Sequence, residues 1–196
     1  MRILGLDIST TTIGIAVIDI NKTKTTLKAL EYYKPPKNGD IFERLDITKK
    51  YIVSIIKKYK PDNVVIEDII LYMRRRSSAN TIYLLTIFNR AIGLAVYETL
   101  GKSPILKSVL DIRDSLIIKE PLNKEDMPEV VAHWLKIPFK YELNKKGTKR
   151  VENYDMADAL AAALSFNREK VERPKVLKKT KRRVLKIHKA RKIKTV

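Results

Sequence analysis

MRILGLDISTTTIGIAVIDI, residues 1–20, sets the terms on which the rest of the chain is read. Ile3, Leu4 and Leu6 predict a short buried strand that ends on the carboxylate of Asp7. Beyond a Ser- and Thr-rich turn, the apolar run from Ile13 to Ile20, with Gly14 near its start, predicts the returning strand of a hairpin. A carboxylate at the end of a buried strand is expensive to desolvate unless a cation or several donors compensate it. Asp7 therefore has two readings. It caps the turn by accepting hydrogen bonds from the Ser9 to Thr11 backbone, or it belongs to a site completed by remote segments.

Two further segments bear on that choice. In PDNVVIEDII, residues 61–70, an apolar strand ends on Glu67, and in NYDMADALAAAL, residues 153–164, Asp155 and Asp158 stand three apart at the start of a helix. Residues i and i+3 share a helix face. Three separate segments thus carry acid at the edge of an apolar element. If the strands adjoin, the four carboxylates converge, and at neutral pH they repel or share protons unless divalent cations bind among them. Two Mg²⁺ ions about 3.5–4 Å apart, for which Mn²⁺ substitutes, are suited to in-line attack of water on a phosphodiester.

Composition points to the same chemistry. The 196 residues include no cysteine, which excludes disulfides, thiolate metal sites and a cysteine nucleophile. His133 and His188 are the only imidazoles, so histidine-held zinc is disfavoured against an oxygen-liganded metal. There is no signal-peptide pattern and no apolar run of 18 residues, so a cytoplasmic protein without membrane association is expected. Net charge is +19; residues 168–196 hold 14 Lys or Arg against Glu169 and Glu172, a net of +12 that leaves +7 for residues 1–167. A polyanion partner follows, and nucleic acid is the commonest in the cytosol. The competing reading is a basic protein with a solvated tail.

In chain order, Thr25 to Tyr33 predicts a third strand that extends the hairpin into an antiparallel meander, and KPPKNGD at 34–40 is turn chemistry. Asp40 with Glu43 forms a capping-box start for a helix reaching Lys60, where Pro61 stops it. Asn63 to Glu67 is a fourth strand, buried on both faces. Arg74, Arg75 and Arg76 follow it in a polar segment, and three adjacent guanidiniums suit phosphate; a solvated charge run is the alternative. A long helix spans Ala79 to Leu100, with Ile82, Leu85, Phe88, Ile92, Ala95, Val96 and Leu100 on one face and Leu84, Ile87 and Leu94 outside it. Ser103 to Ser108 gives a fifth strand, Asp111 to Lys119 a short helix with Arg113, Lys124 to Leu135 another, and Asp155 to Phe166 an Ala-rich helix able to lie close on the sheet. Residues 140–153 are polar, with a turn at Lys145-Lys146-Gly147. The composition break near Arg168 divides a folded domain, 1–167, from a tail, 168–196, expected to be disordered in isolation and to bind nucleic acid in a salt-sensitive way.

ILGLDISTTTIGIAVI, PDNVVIED and DMADALAAAL, in this order and at these separations, resemble the RuvC family of Holliday junction resolvases over residues 1–167. The resemblance implies an α/β, ribonuclease H-like fold with a mixed five-stranded sheet flanked by helices. It places the family's metal-binding, catalytic carboxylates on Asp7, Glu67, Asp155 and Asp158, with two Mg²⁺ per site. It sets the basic residues near the scissile phosphate on Arg113 and Lys124, through a looser match. It also implies a homodimer that cuts symmetry-related strands of a four-way DNA junction, with the Ala79 to Leu100 helix in the dimer interface. Ile8-Ser9 stands where the bacterial pattern has Pro-Gly, the segment after Glu67 is longer and holds the Arg triplet, and the basic tail is unlike the short bacterial end. Tyr72 is the candidate to stack at the junction centre. These departures resemble a divergent member, of the kind a phage or virus carries, acting on branched DNA more generally. A ribonuclease H or general debranching nuclease remains an alternative, as does a non-catalytic DNA-binding protein. DISTTTIGIAVID also resembles the first phosphate motif of actin-like sugar and acetate kinases, for whose two lobes the chain is too short.

Overall fold

The computed structural model describes residues 1–22, 24–69, 78–116 and 124–166. Its centre is β1 (Arg2–Ile8), flanked by β2 (Ile13–Ile20) in antiparallel and β4 (Asn63–Asp68) in parallel register. β3 (Thr25–Tyr33) continues the meander at one edge, and β5 (Ile105–Ser108) runs parallel to β4 at the other, giving the order β3-β2-β1-β4-β5. The parallel β1–β4 pair needs a crossover rather than a tight turn, and α1 (Ile41–Tyr59) supplies it. The predicted capping box is present: the Asp40 carboxylate accepts from Phe42 N at 2.7 Å and Glu43 N at 3.0 Å, while Glu43 accepts from Asp40 N at 3.2 Å.

Alternation along β1 sorts the two faces of the sheet. Leu4, Leu6 and Ile8 enter a core with Ile52, Ile55 and Ile56 of α1 and with Phe88, Ile92 and Val96 of α2 (Ala79–Leu100). Ile3, like Ala16, Ile18 and Val65, enters the opposite core, under α3 (Val109–Leu116), α4 (Met127–Leu135) and α5 (Glu152–Leu164). By length and composition alone α2 could cross a membrane; in the fold its Phe88, Ile92, Ala95 and Val96 are buried.

The predicted elements are present, with shifted ends. β5 starts at Ile105 rather than Ser103, after Pro104, which lacks the N–H a ladder needs. The helix expected from Lys124 opens as a 3-10 turn, Lys124–Asp126, before α4 begins. The last helix begins at Glu152, three residues earlier than expected, because its N-cap is Val151, which makes no side-chain capping bond and carries no sequence signal.

α5 lies unusually close to the sheet. A methyl group at Gly5 would stand 2.7 Å from Ala163 N and nearer still to the Ala159 carbonyl oxygen; one at Gly14 would run into the Asp155 carbonyl. Ala157, Ala159, Ala161, Ala162 and Ala163 complete the contact from the helix side, all fully buried. Overpacking of this kind costs about 1–3 kcal/mol, so Gly14→Ala should lower the urea midpoint of unfolding by a matching amount. An unchanged midpoint would mean that α5 can retreat from β2 without penalty.

Candidate active site

The sheet register assembles one row of side chains across all five strands. Tyr32 of β3 is opposite Gly14 of β2, Gly14 is opposite Asp7 of β1, and Glu67 of β4 is opposite Lys107 of β5. β1 and β4 pair Leu6 with Ile66 in parallel, so Asp7 and Glu67 come next on adjacent strands. Two residues earlier on each strand, Val65, Ile105 and Leu30 pack into the core beneath α5; the row therefore faces α5, by the two-residue period of a strand.

α5 brings the other two acids to that row. Its close approach at Gly14 is made by the Asp155 backbone itself, and Asp158 follows one turn along. Asp155 lies in the first turn of the helix, where the macrodipole favours negative charge. Asp158 is buried, while Asp7, Glu67 and Asp155 are half-buried. All four take part in polar or electrostatic contacts. The turn after β1 is closed by another residue: the Ser9 hydroxyl accepts from Thr12 N at 2.9 Å and Thr11 N at 3.3 Å and donates to the Thr12 carbonyl at 2.6 Å. Ser9 thus caps the turn.

Two supporting residues escaped the reading of the sequence. Asn89, fully buried within the apolar face of α2, donates from Nδ2 to the Glu67 carbonyl at 2.9 Å and accepts from Arg90 at 3.0 Å. Arg90 also pairs with Asp68 at 2.9 Å, so α2 grips the end of β4 at two consecutive residues. A lone Asn inside an apolar stripe was the available signal, because buried amides find partners. Lys107 is the second. Burial holds its ammonium below the usual lysine range, partly offset by Asp111, and its Nζ donates to the Ser165 carbonyl beyond α5. A lysine at the inward position of a strand ending beside Glu67 could have marked it.

Of the predicted basic residues, Arg113 is half-buried on α3, which follows β5 directly and touches β4 and α5. The backbone of Lys124 opens the 3-10 turn, which also contacts α5. Tyr72, Arg74, Arg75 and Arg76 lie outside the described residues, as does the tail 168–196. Among the described residues no group of three or more acidic or histidine side chains stands as a finished metal cage. Carboxylates on two strand ends and one helix face fit a hard divalent cation such as Mg²⁺ or Mn²⁺ in donor chemistry.

Comparison with known proteins agrees with this geometry. The family described as "Crossover junction endodeoxyribonuclease RuvC" matches residues 3–166. A relative of that name from Fusobacterium nucleatum is 32% identical over 77 residues, an alignment that spans 39% of this chain and only 40% of the relative. Another from Dehalococcoides mccartyi is 26% identical over 175 residues, 87% of this chain and 93% of the relative. The solved structure of Thermus thermophilus RuvC with a Holliday junction substrate superposes with a TM-score of 0.64 at 20% identity, covering 84% of this chain and 91% of that one. The sheet and its flanking helices therefore form the ribonuclease H-like fold that the three motifs implied.

The depressed pKa of Lys107 carries a stability consequence. Between its folded value and the ordinary 10.5, the unfolded chain binds more protons at this site than the folded one, so this residue's contribution to stability rises with pH across that window. Lys107→Met removes the group. The difference in urea midpoint between wild type and variant should therefore shift in favour of wild type from pH 7 to pH 10.5. A difference independent of pH would mean that Lys107 is not desolvated.

Proposed function

The chain belongs to the RuvC family of crossover junction endodeoxyribonucleases, and from that premise we propose that it is a divalent-metal-dependent endonuclease resolving four-way DNA junctions in the cytoplasm. The observation that carries this reading is the register: Asp7 and Glu67 end adjacent strands directly beneath the first turns of the helix that bears Asp155 and Asp158. These four carboxylates would hold the divalent ions, two Mg²⁺ on this reading. When bound, the ions supply activation of the attacking water and stabilisation of the leaving oxygen.

The other residues position and hold. Asn89 fixes the backbone of Glu67, so its carboxylate departs from a rigid strand end. Lys107 and Arg113, beside and beyond Glu67, present cations to the phosphate being cut. The half-buried setting of Lys107 strengthens its field relative to that of a solvated ammonium. Lys124, Tyr72 and Arg74 to Arg76 add further DNA contacts, with Tyr72 stacking at the junction centre. The domain spans residues 1–167, and the tail, residues 168–196, adds sequence-independent affinity through counterion release.

Symmetric cutting needs two copies of the site, and α2 offers the surface for pairing. Tyr83, Leu94 and Tyr97 are 63%, 55% and 52% exposed on a helix whose opposite face is already packed. We infer a homodimer through this stripe.

Asp7→Asn should abolish Mg²⁺-dependent cleavage of a labelled synthetic four-way junction while leaving junction binding within about threefold of wild type, because it removes a metal ligand and no phosphate contact. Loss of binding and cutting together would count against this site. Duplex, Y-structure and RNA–DNA hybrid controls separate a resolvase from a debranching nuclease or a ribonuclease H. Leu94→Glu should turn the dimer into a monomer in light scattering and uncouple the two nicks. A variant that stays dimeric and cuts symmetrically would exclude α2 from the interface.

A further inference from the structure

The predicted DNA-contacting residues all follow β4 or β5 in the order of the chain. On the β3 side of the catalytic row lies a second basic element with no role so far. Residues 140–150, KYELNKKGTKR, hold five cations against the single acid Glu142. They fold into a small hairpin. Leu143 bridges Lys149, Arg150 N donates to the Glu142 carbonyl at 3.0 Å, and Asn144 N donates to the Thr148 carbonyl at 2.9 Å. At the tip the Asn144 side chain accepts from Lys146 N at 2.8 Å and Thr148 N at 3.1 Å, and Gly147 takes a φ of 76° that suits glycine.

The hairpin is riveted to the helix that carries two of the four acids. Asn153, fully buried in the first turn of α5, accepts from Glu142 N at 2.8 Å and donates to the Glu142 and Arg150 carbonyls at 2.8 and 2.7 Å. Asp155 comes two residues later. Arg150 donates to the Tyr32 hydroxyl at 2.9 Å, and Tyr32 belongs to the same cross-strand row as Asp7. The cations then divide by task. Lys149 lies over the Tyr141 ring at 3.5 Å, and Arg150 pairs with Glu142 at 3.5 Å, so both brace the arm. Lys145 and Lys146, adjacent at the tip, are exposed.

We propose that this hairpin is a preformed arm whose Lys145 and Lys146 grip the phosphate backbone of a duplex arm on the β3 side of the cleavage point. The proposal rests on the reading of the chain as a DNA junction nuclease. Two adjacent ammonium groups on one turn repel one another until a polyanion lies across them, and the backbone of the turn that carries them is ordered before DNA arrives. Such contacts fix register on the duplex and read no sequence.

The test uses the full chain carrying Asp7→Asn, which keeps the DNA intact, with Lys145→Ser/Lys146→Ser and Lys145→Arg/Lys146→Arg added separately. Binding to a four-way junction and to a linear duplex is measured from 50 to 300 mM KCl. The Ser pair should flatten the plot of log K against log salt by about 1.8, two phosphates at about 0.9 each, on both DNAs. The Arg pair should restore the wild-type slope. An unchanged slope with the Ser pair, or a loss that the Arg pair does not restore, overturns the proposal. Failure of the unmutated chain to cut a junction in Mg²⁺ would overturn the nuclease reading instead, and the slopes would still report on the arm.

Discussion

The close seating of α5 on the middle of the sheet is the constraint on which the rest of the structure depends. It is made by subtraction: two glycines remove side chains from β1 and β2, and a run of alanines keeps the helix face thin. Small residues forgo much of the burial energy that Leu or Ile would supply, about 25 cal/mol per Å² of apolar surface. The stability of this layer therefore comes from α3, α4 and the partly buried Trp134, Phe139 and Phe166 around its rim. In exchange, acids on the first turns of the helix reach the strand ends directly.

Around this contact, buried polar groups hold elements in place. Asn89 fixes the end of β4 from one face of the sheet, and Asn153 fixes the basic hairpin on the other. Glu152, also buried, pairs with Lys34 at the end of β3, and that pairing keeps its carboxyl below the usual range. Each such group would be expensive to bury unpaired, so each specifies a geometry more than it adds stability. Together they tie β3, β4, α2 and α5 to a single arrangement at the carboxyl ends of β1 and β4.

The strands and helices were largely legible because their signals are local: the alternation in β1 and β2, the Asp40 and Glu43 capping box, Pro61, and Gly101 after α2. The positions of the four acids were legible as strand-end and helix-face positions; the register joins two of their segments, β1 and β4, and α5 packs against the sheet beside them. What could not be read were relations between segments. Val151 gives no N-cap signal, so the start of α5 was misjudged by a full turn. Asn89 and Lys107 looked like ordinary members of a helix and a strand, since their partners lie 22 and 58 residues away. Residues 140–153 read only as a polar stretch with a turn at Lys145-Lys146-Gly147, because the hairpin's anchoring depends on Asn153, which belongs to the next helix.

The order of the acids along the chain has a consequence for synthesis. Asp7 and Glu67 belong to strands made early, while Asp155 and Asp158 arrive on the last described helix, whose seating also covers the face of the sheet they share. A ribosome-bound chain that has emerged only through β5 carries half of the proposed metal donors beneath an open hydrophobic face. On the proposed assignment, an interrupted or truncated translation product is inert toward DNA and exposed to proteolysis, so cutting power arrives only with the finished fold.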